Sequence, residues 1–466
     1  MIAIALATFF VPAFAQETEA EPLCLTLEDA LKIALSENVS VKVADKEIQR
    51  TEYALKGSYA SLFPQVDASM SYQRTIKKQV MYMDFDMSAL AGSIPGMEGE
   101  DSPTGGEGGG GLPGSGGIEV GRWNTYSGGV SASMPLINAQ LWKSIAISGQ
   151  DVELAVEKAR SSRLDMVTQV KQAFFAVLLA KQAYAVYEEV FDNASENFRQ
   201  TEMRYNVQKA SELDYTRAKA NVSSAIPNLY QAESSINLAL WQLKAVIGMD
   251  LETNIDVAGS LDDYSQQMFR DIHENDYVSL DGNSAMKQLS IQAEQLANNI
   301  KIQKYASLPS LAMTFTYSLN AMTNDFNFSE YKWSPYSFVG FSLQIPIFAA
   351  GKRYNNVRQA KVQFDELKMQ AENTERQLRI AIQQYLTQME TNMKSYDSAQ
   401  STVELARKAY DIAAKSYNVG RSTLTDLNDA QLALTQAELG VSQAVYNFVI
   451  AKTNLEQVIG ADFISE

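Results

Sequence analysis

Two carboxylates three positions apart, Asp426 and Asp429, follow a turn at Asn418–Ser422 and open a run of regular heptads. On a helix that spacing turns both side chains the same way, one turn apart. Such a pair can present negative charge to a passing cation, or simply cap the helix and hold a solvated face. Little else in the chain could do chemistry. His273 is the single histidine, stands in a polar stretch, and reads as a surface residue rather than a base or ligand. Cys24 is the only cysteine, so no disulfide framework exists. The glycines of 105–117 follow no strand-to-helix junction of the kind that cradles phosphate. Methionines along the helices read as packing. We expect no catalytic constellation, no cofactor and no metal site, hence no enzyme.

The elements that must position the two aspartates are duplicated. Tyr205–Asp250 repeats as Tyr417–Asp462 without a gap: Tyr205-Asn206-Val207 matches Tyr417-Asn418-Val419, Asp214 matches Asp426, and Val246-Ile247-Gly248 matches Val458-Ile459-Gly460. In the later copy Leu427, Leu434, Val441, Phe448 and Leu455 form a large column, and Ala430, Ala437, Ala444, Ala451 and Val458 a small one. The earlier copy sets Tyr215, Val222, Leu229, Ile236 and Leu243 against Ala218, Ala225, Ala232, Ala239 and Val246. A strict heptad implies an underwound helix that supercoils around a partner, and the alanine column permits close approach. A repeat of this kind governs every other reading.

The rest of the chain follows the same duplication. Met1–Ala15 is apolar and ends in Ala13-Phe14-Ala15, so it reads as a signal peptide, although it lacks a basic start. The mature chain then begins at Gln16, and Leu23 before Cys24 argues against a lipid anchor. The first repeat, 16–250, carries helices over about 26–63, 139–205 and 213–248 and strands over about 65–75 and 126–137. A mixed insertion occupies 251–283. The second repeat, 284–466, carries helices over about 284–308, 350–417 and 425–460 and strands over about 310–319 and 337–347. Thr26 with Asp29 marks the first helix start, Pro64 and Pro309 end the short helices, and Pro227 should bend its helix. Loops are expected at 76–123, with a Gly-rich centre, and at 319–336.

Each long helix should span on the order of 100 Å, too long for a compact domain. Each return helix is about half as long. Joined end to end with the short helix of the other half, it would match the full length and build a cylinder of helices.

The strands have one greasy and one wet face: Val66, Ala68, Met70 and Tyr72 alternate with Asp67, Ser69, Ser71 and Gln73, and the other three strands do likewise. Their length suits a tilted membrane-crossing strand of about 9–11 residues. No helical stretch is apolar enough to span; Ala173–Ala180 is far too short. Four strands cannot close a barrel, and an open edge is not tolerated in lipid. Several chains must then pool their strands, and three would give twelve. Lys plus Arg is 39 and Asp plus Glu 55, a net charge of −16. That excess argues against nucleic acid and anionic membrane surfaces as partners.

The string Tyr417-Asn418-Val419-Gly420-Arg421-Ser422-Thr423-Leu424-Thr425-Asp426-Leu427-Asn428-Asp429, with the duplication and the Pro-ended strands, resembles the TolC-like outer-membrane efflux family over nearly the whole mature length. The resemblance implies an α+β membrane protein: a homotrimer with a twelve-stranded transmembrane β-barrel in the outer membrane of a Gram-negative bacterium, continued by a long periplasmic α-helical barrel. It implies a periplasmic adaptor and an inner-membrane pump of the RND, ABC or MFS type as partners. By position, Asp426 and Asp429 become rings that narrow the periplasmic entrance, and Tyr417, Asp214 and Arg421 links that hold it shut. Arg421 stands one residue before the family's usual arginine. Gln208 replaces an expected glycine, and Asn38-Val39 stands where Asn-Pro is common. The implied function is passive export through tripartite efflux or type I secretion. The alternatives are an uptake porin, which would not need such helices, and a periplasmic coiled-coil scaffold, which would not need lipid-facing strands.

Overall fold

The structure, a computed structural model, describes residues 22–81, 118–265, 268 and 279–461. The expected signal peptide, the Gly-rich 105–117 and His273 lie outside these residues. In chain order the first half contains β1 (Leu23–Leu25), α1 (Leu27–Glu37), α2 (Val39–Ala60), β2 (Gln65–Arg74), β3 (Gln79–Met81), β4 (Ile118–Val120), β5 (Asn124–Ile137), α3 (Ala139–Asn206) and α4 (Glu212–Ile247). Then come β6 (Ile255–Val257), α5 (Asp262–Ser265), α6 (Ser284–Tyr305), β7 (Ser310–Thr323), β8 (Ser334–Gln344), α7 (Lys352–Asn418) and α8 (Leu424–Ile459). Two compact units result, and each draws on both halves of the sequence: Met1–Leu55, Ala146–Ile300 and Arg358–Glu466 in one, Lys56–Ile145 and Lys301–Val357 in the other.

The first unit is helical. Its core gathers Val170, Phe174, Leu243, Ile247, Phe448 and Leu455. The heptad columns behave differently in the two copies. In α8, Leu427, Leu434, Phe448 and Leu455 are buried together with Ala437, Ala444 and Ala451. In α4 the buried column is the alanines, Ala218, Ala225, Ala232 and Ala239, while Val222, Leu229 and Ile236 are half-buried. α4 carries Pro227 and remains one helix.

Three features depart from the sequence reading. First, the single helix expected over 26–63 is two, because Asn38 is extended at φ −64°, ψ 133°. Asn38 closes α1 through its own N–H to the Ala34 carbonyl. Its Oδ1 accepts from the Ser40 amide at 2.7 Å, which caps α2. Second, each return helix meets the short helix of its own half, not of the other. Asn38 Nδ2 donates to the Val246 carbonyl oxygen at 2.7 Å, and Asn283 Nδ2 to that of Val458 at 2.7 Å. One asparagine supplies both the orphan carbonyl of a helix end and the orphan amide of a helix start, so the join is local to each repeat. Length alone could not choose between halves, because both have the same lengths. Third, β1 pairs in parallel with β6, Leu23 opposite Ile255 and Leu25 opposite Val257. The insertion therefore contributes to the core through buried Ile255 and Val257. Cys24 lies exposed in β1.

The second unit is a four-stranded antiparallel sheet, β2-β5-β7-β8. The β5–β7 pair joins the two halves of the sequence. The register aligns the greasy positions into rows: Val66–Ala132–Phe315–Val339 and Ala68–Val130–Tyr317. Many of these side chains stand in the open, Val66 at 66 %, Met70 at 89 % and Phe341 at 67 % exposure. The opposite face carries rows such as Gln65–Ser133–Thr314–Gly340, although Tyr336 and Phe338 also fall on it. Gly129 is required at its place in the ladder: a Cβ there would stand 2.5 Å from the Tyr317 carbonyl oxygen. β8 ends at Gln344, before Pro346, which has no N–H to give a ladder. The segment 76–123 is not all loop, since β3 and β4 pair at its base.

Candidate functional site

The duplicated turns at α3–α4 and α7–α8 are built by one recipe. α7 is stopped two residues past its end by Gly420 at φ 75°. Its amide bonds back to Tyr417 O at 3.0 Å, and that of Arg421 to Ser416 O at 2.8 Å. α3 repeats the pattern through Gln208 at φ 59°, with Gln208 N to Tyr205 O at 2.9 Å and Lys209 N to Arg204 O at 2.7 Å. This is the left-handed helix stop usually assigned to glycine. The glutamine is held there by the same two hydrogen bonds.

The next residues start the return helices. Thr423 caps α8: its Oγ accepts from the Asp426 amide at 3.2 Å, while Asp426 Oδ2 accepts from the Thr423 amide at 2.8 Å and hydroxyl at 2.7 Å. Those bonds, the hydroxyl first and then the amide, hold the Asp426 carboxyl below the usual carboxylate range. Ser211 caps α4 with its side chain, Ser211 Oγ donating to Asp214 Oδ2 at 2.7 Å and accepting from the Asp214 amide at 3.1 Å. Thr26 and Asp29 form a second reciprocal box of the same spacing as Thr423 and Asp426. Asp426 thus caps its helix with one carboxylate oxygen. Asp429, one turn on, is exposed, and its carboxylate bonds none of the described residues.

Tyr417 is buried, its hydroxyl 2.8 Å from the Thr201 hydroxyl. It packs with Ala218, Leu424 and Leu427 in a small core at the turns. Within the chain Tyr417 and Asp214 do not bond each other, and the Arg421 side chain is exposed. Arg204, which the sequence reading missed, also ties the two turns together. Its guanidinium donates to Asn418 O at 2.9 Å and to Tyr417 O at 3.3 Å and lies 5.5 Å from the Tyr417 ring centre. The signal was a cation in the last turn of α3, where helix carbonyls are unpaired. The duplication hid it, because its counterpart is Ser416.

No helix among the described residues is long and apolar enough to cross a membrane, and none of their acidic, histidine or cysteine side chains cluster as metal ligands. What the geometry offers is a sheet with an exposed apolar face and a helical body whose turns carry exposed acids.

The sequence pattern of the family described as Outer membrane efflux protein matches residues 30–249 and 277–461. The chain belongs to that family, and it is an efflux channel protein of the outer membrane. It is 20 % identical over 342 residues to the outer membrane protein TolC of Vibrio cholerae, covering 72 % of this chain and 76 % of that protein. It is 22 % identical over 324 residues to the outer membrane efflux protein BepC of Brucella suis, 69 % of each being covered. Its fold is similar to the crystal structure of the CmeC outer membrane channel of Campylobacter jejuni, with a TM-score of 0.69 at 18 % identity over 99 % of this chain and 94 % of that one.

Proposed function

We propose that the chain is the exit duct of a tripartite efflux or type I secretion assembly. It acts as a homotrimer whose pooled strands close a twelve-stranded barrel in the outer membrane and whose helices form a periplasmic tunnel. A periplasmic adaptor and an inner-membrane pump of the RND, ABC or MFS type supply cargo and energy, and the chain itself catalyses nothing. One observation carries this reading: the four-stranded sheet has both edges, β2 and β8, without a strand partner among the described residues, and its in-register apolar face is exposed. In lipid such a sheet is tolerable only when sister copies close it. Helices of 68 and 67 residues disfavour the porin alternative, which needs only short inner turns. The exposed apolar face disfavours a purely periplasmic scaffold.

At the turns, Asp426 and Asp429 ring the entrance, and Tyr417, Asp214 and Arg421 supply links between neighbouring hairpins. Asp429 is the cleaner probe, because Asp426→Ala also removes a helix cap. In planar bilayers Asp429→Ala raises conductance or relieves trivalent-cation block; unchanged block in that variant and in the Asp426→Ala/Asp429→Ala pair rules the acidic entrance out. Crosslinking in cells traps three copies together with adaptor and pump. A monomer that stays soluble without detergent contradicts the whole assembly.

A further inference from the structure

A net charge of −16 argues against anionic surfaces, but the second unit distributes its charge unevenly. The register places Gln65, Ile137, Ser310 and Gln344 along one end of the sheet, since Ser310 pairs with Gln344, Leu311 with Ile137, and Gln65 opposes Ser133. The segments adjoining that end are 56–66, 136–145, 301–310 and 345–357. They contain Lys56, Lys143, Lys301, Lys304, Lys352 and Arg353 and no aspartate or glutamate. All six cations are partly or fully exposed. The other end mixes signs, with Arg74 and Lys332 beside Asp325 and Glu330. Charge is felt within a Debye length of about 8–10 Å, so an approaching ligand meets this end and not the chain average.

The same end is built to lie at an apolar boundary. Ile347 and Phe348 are 90 % and 85 % exposed, and Phe63, Trp142 and Tyr354 stand out beside them. A groove of about 450 Å³ is lined by Lys304, Ser307, Ile347, Phe348, Arg353 and Tyr354. Its wall is fixed: Arg353 donates to Pro346 O at 2.9 Å and Ile347 O at 3.1 Å. Ala350 at φ 45° and Gly351 at φ 79° turn the chain tightly into α7. Cations above an exposed aliphatic and aromatic pair match a phosphodiester above its acyl chains.

We propose that this end of the sheet binds anionic phospholipid of the adjoining leaflet, Lys304 and Lys352 meeting the headgroup phosphate and Ile347 and Phe348 the first methylenes. The proposal rests on the sheet lying in a bilayer. The test uses the full chain in nanodiscs of phosphatidylcholine with or without phosphatidylglycerol, bound lipid being read by native mass spectrometry after extraction. Phosphatidylglycerol should be retained preferentially, and Lys304→Glu and Lys352→Glu should each lower its retention about fivefold or more, the worth of one basic residue at an anionic surface. Lys332→Glu, at the other end, should change little. Equal retention of both lipids, or equal loss in Lys332→Glu, overturns the proposal while leaving the membrane reading intact. Failure to enter either bilayer removes both.

Discussion

Arg204 clasps the backbone beside Tyr417, donating to the Tyr417 carbonyl at 3.3 Å while its guanidinium lies 5.5 Å from the tyrosine ring. One side chain from the first helix hairpin thereby gives a donor to the Asn418 carbonyl at the end of α7, in the second, and adds one to the Tyr417 carbonyl, which already accepts from the Gly420 amide. Arg204→Ala should cost about 1–2 kcal/mol, since charge-assisted hydrogen bonds contribute about 1.5–3 kcal/mol and this one is only half-buried. Hydrogen exchange should quicken at 417–421 first. Arg204→Lys should recover only part, because an ammonium lacks the planar fork. Unchanged exchange in Arg204→Ala would remove the clasp from the account.

Asn38 and Asn283 hold equivalent joints, and both are nearly buried, at 9 % and 5 % exposure. Replacing either with alanine strands a helix-end carbonyl and uncaps the next helix. Each change should cost about 1–3 kcal/mol, and the two variants should lower the thermal midpoint alike. Circular dichroism melts of the detergent-solubilised protein check this; a neutral Asn283→Ala would show that the joint is not held by its side chain.

Glycines of the same conformation should differ in tolerance. A Cβ on Gly460 would stand 2.2 Å from the Gly282 carbonyl oxygen, whereas one on Gly420 meets nothing within 4 Å. Gly420→Ala therefore bears only the left-handed penalty, roughly 1 kcal/mol, and Gly460→Ala must also displace backbone. Gln208→Gly, relieving the same strain at the first turn, should stabilise by up to about 1 kcal/mol. Thermal midpoints in the reverse order would contradict the geometry.

Acid should loosen the helix starts. Thr26 and Thr423 hold the carboxyls of Asp29 and Asp426 below their ordinary range. A depressed folded pKa means stabilisation that is complete above the unfolded value of about 3.9 and is lost as pH falls through the folded ones. Amide protection in the first turn of α8 should therefore decline below about pH 4. Asp426→Ala should abolish that dependence at α8 and leave it at α1. Protection that is flat down to acid denaturation would count against the caps.

The sequence by itself determined the duplication, the long helices, the four long strands with their sidedness, and the family. Each of these is written in local period and composition: Leu427 to Leu455 at sevens, Val66 to Tyr72 at twos, Thr423 three before Asp426. Only tertiary structure decided the break at Asn38, the joining of each return helix to its own half, the pairing of β1 with β6, and the clasp of Arg204. Those rest on contacts between residues far apart in the chain, and no periodicity records which carbonyl an asparagine or arginine will reach. The same limit explains the charge: a sum over the chain is negative, and only the strand register gathers Lys56, Lys143, Lys304 and Arg353 at one end.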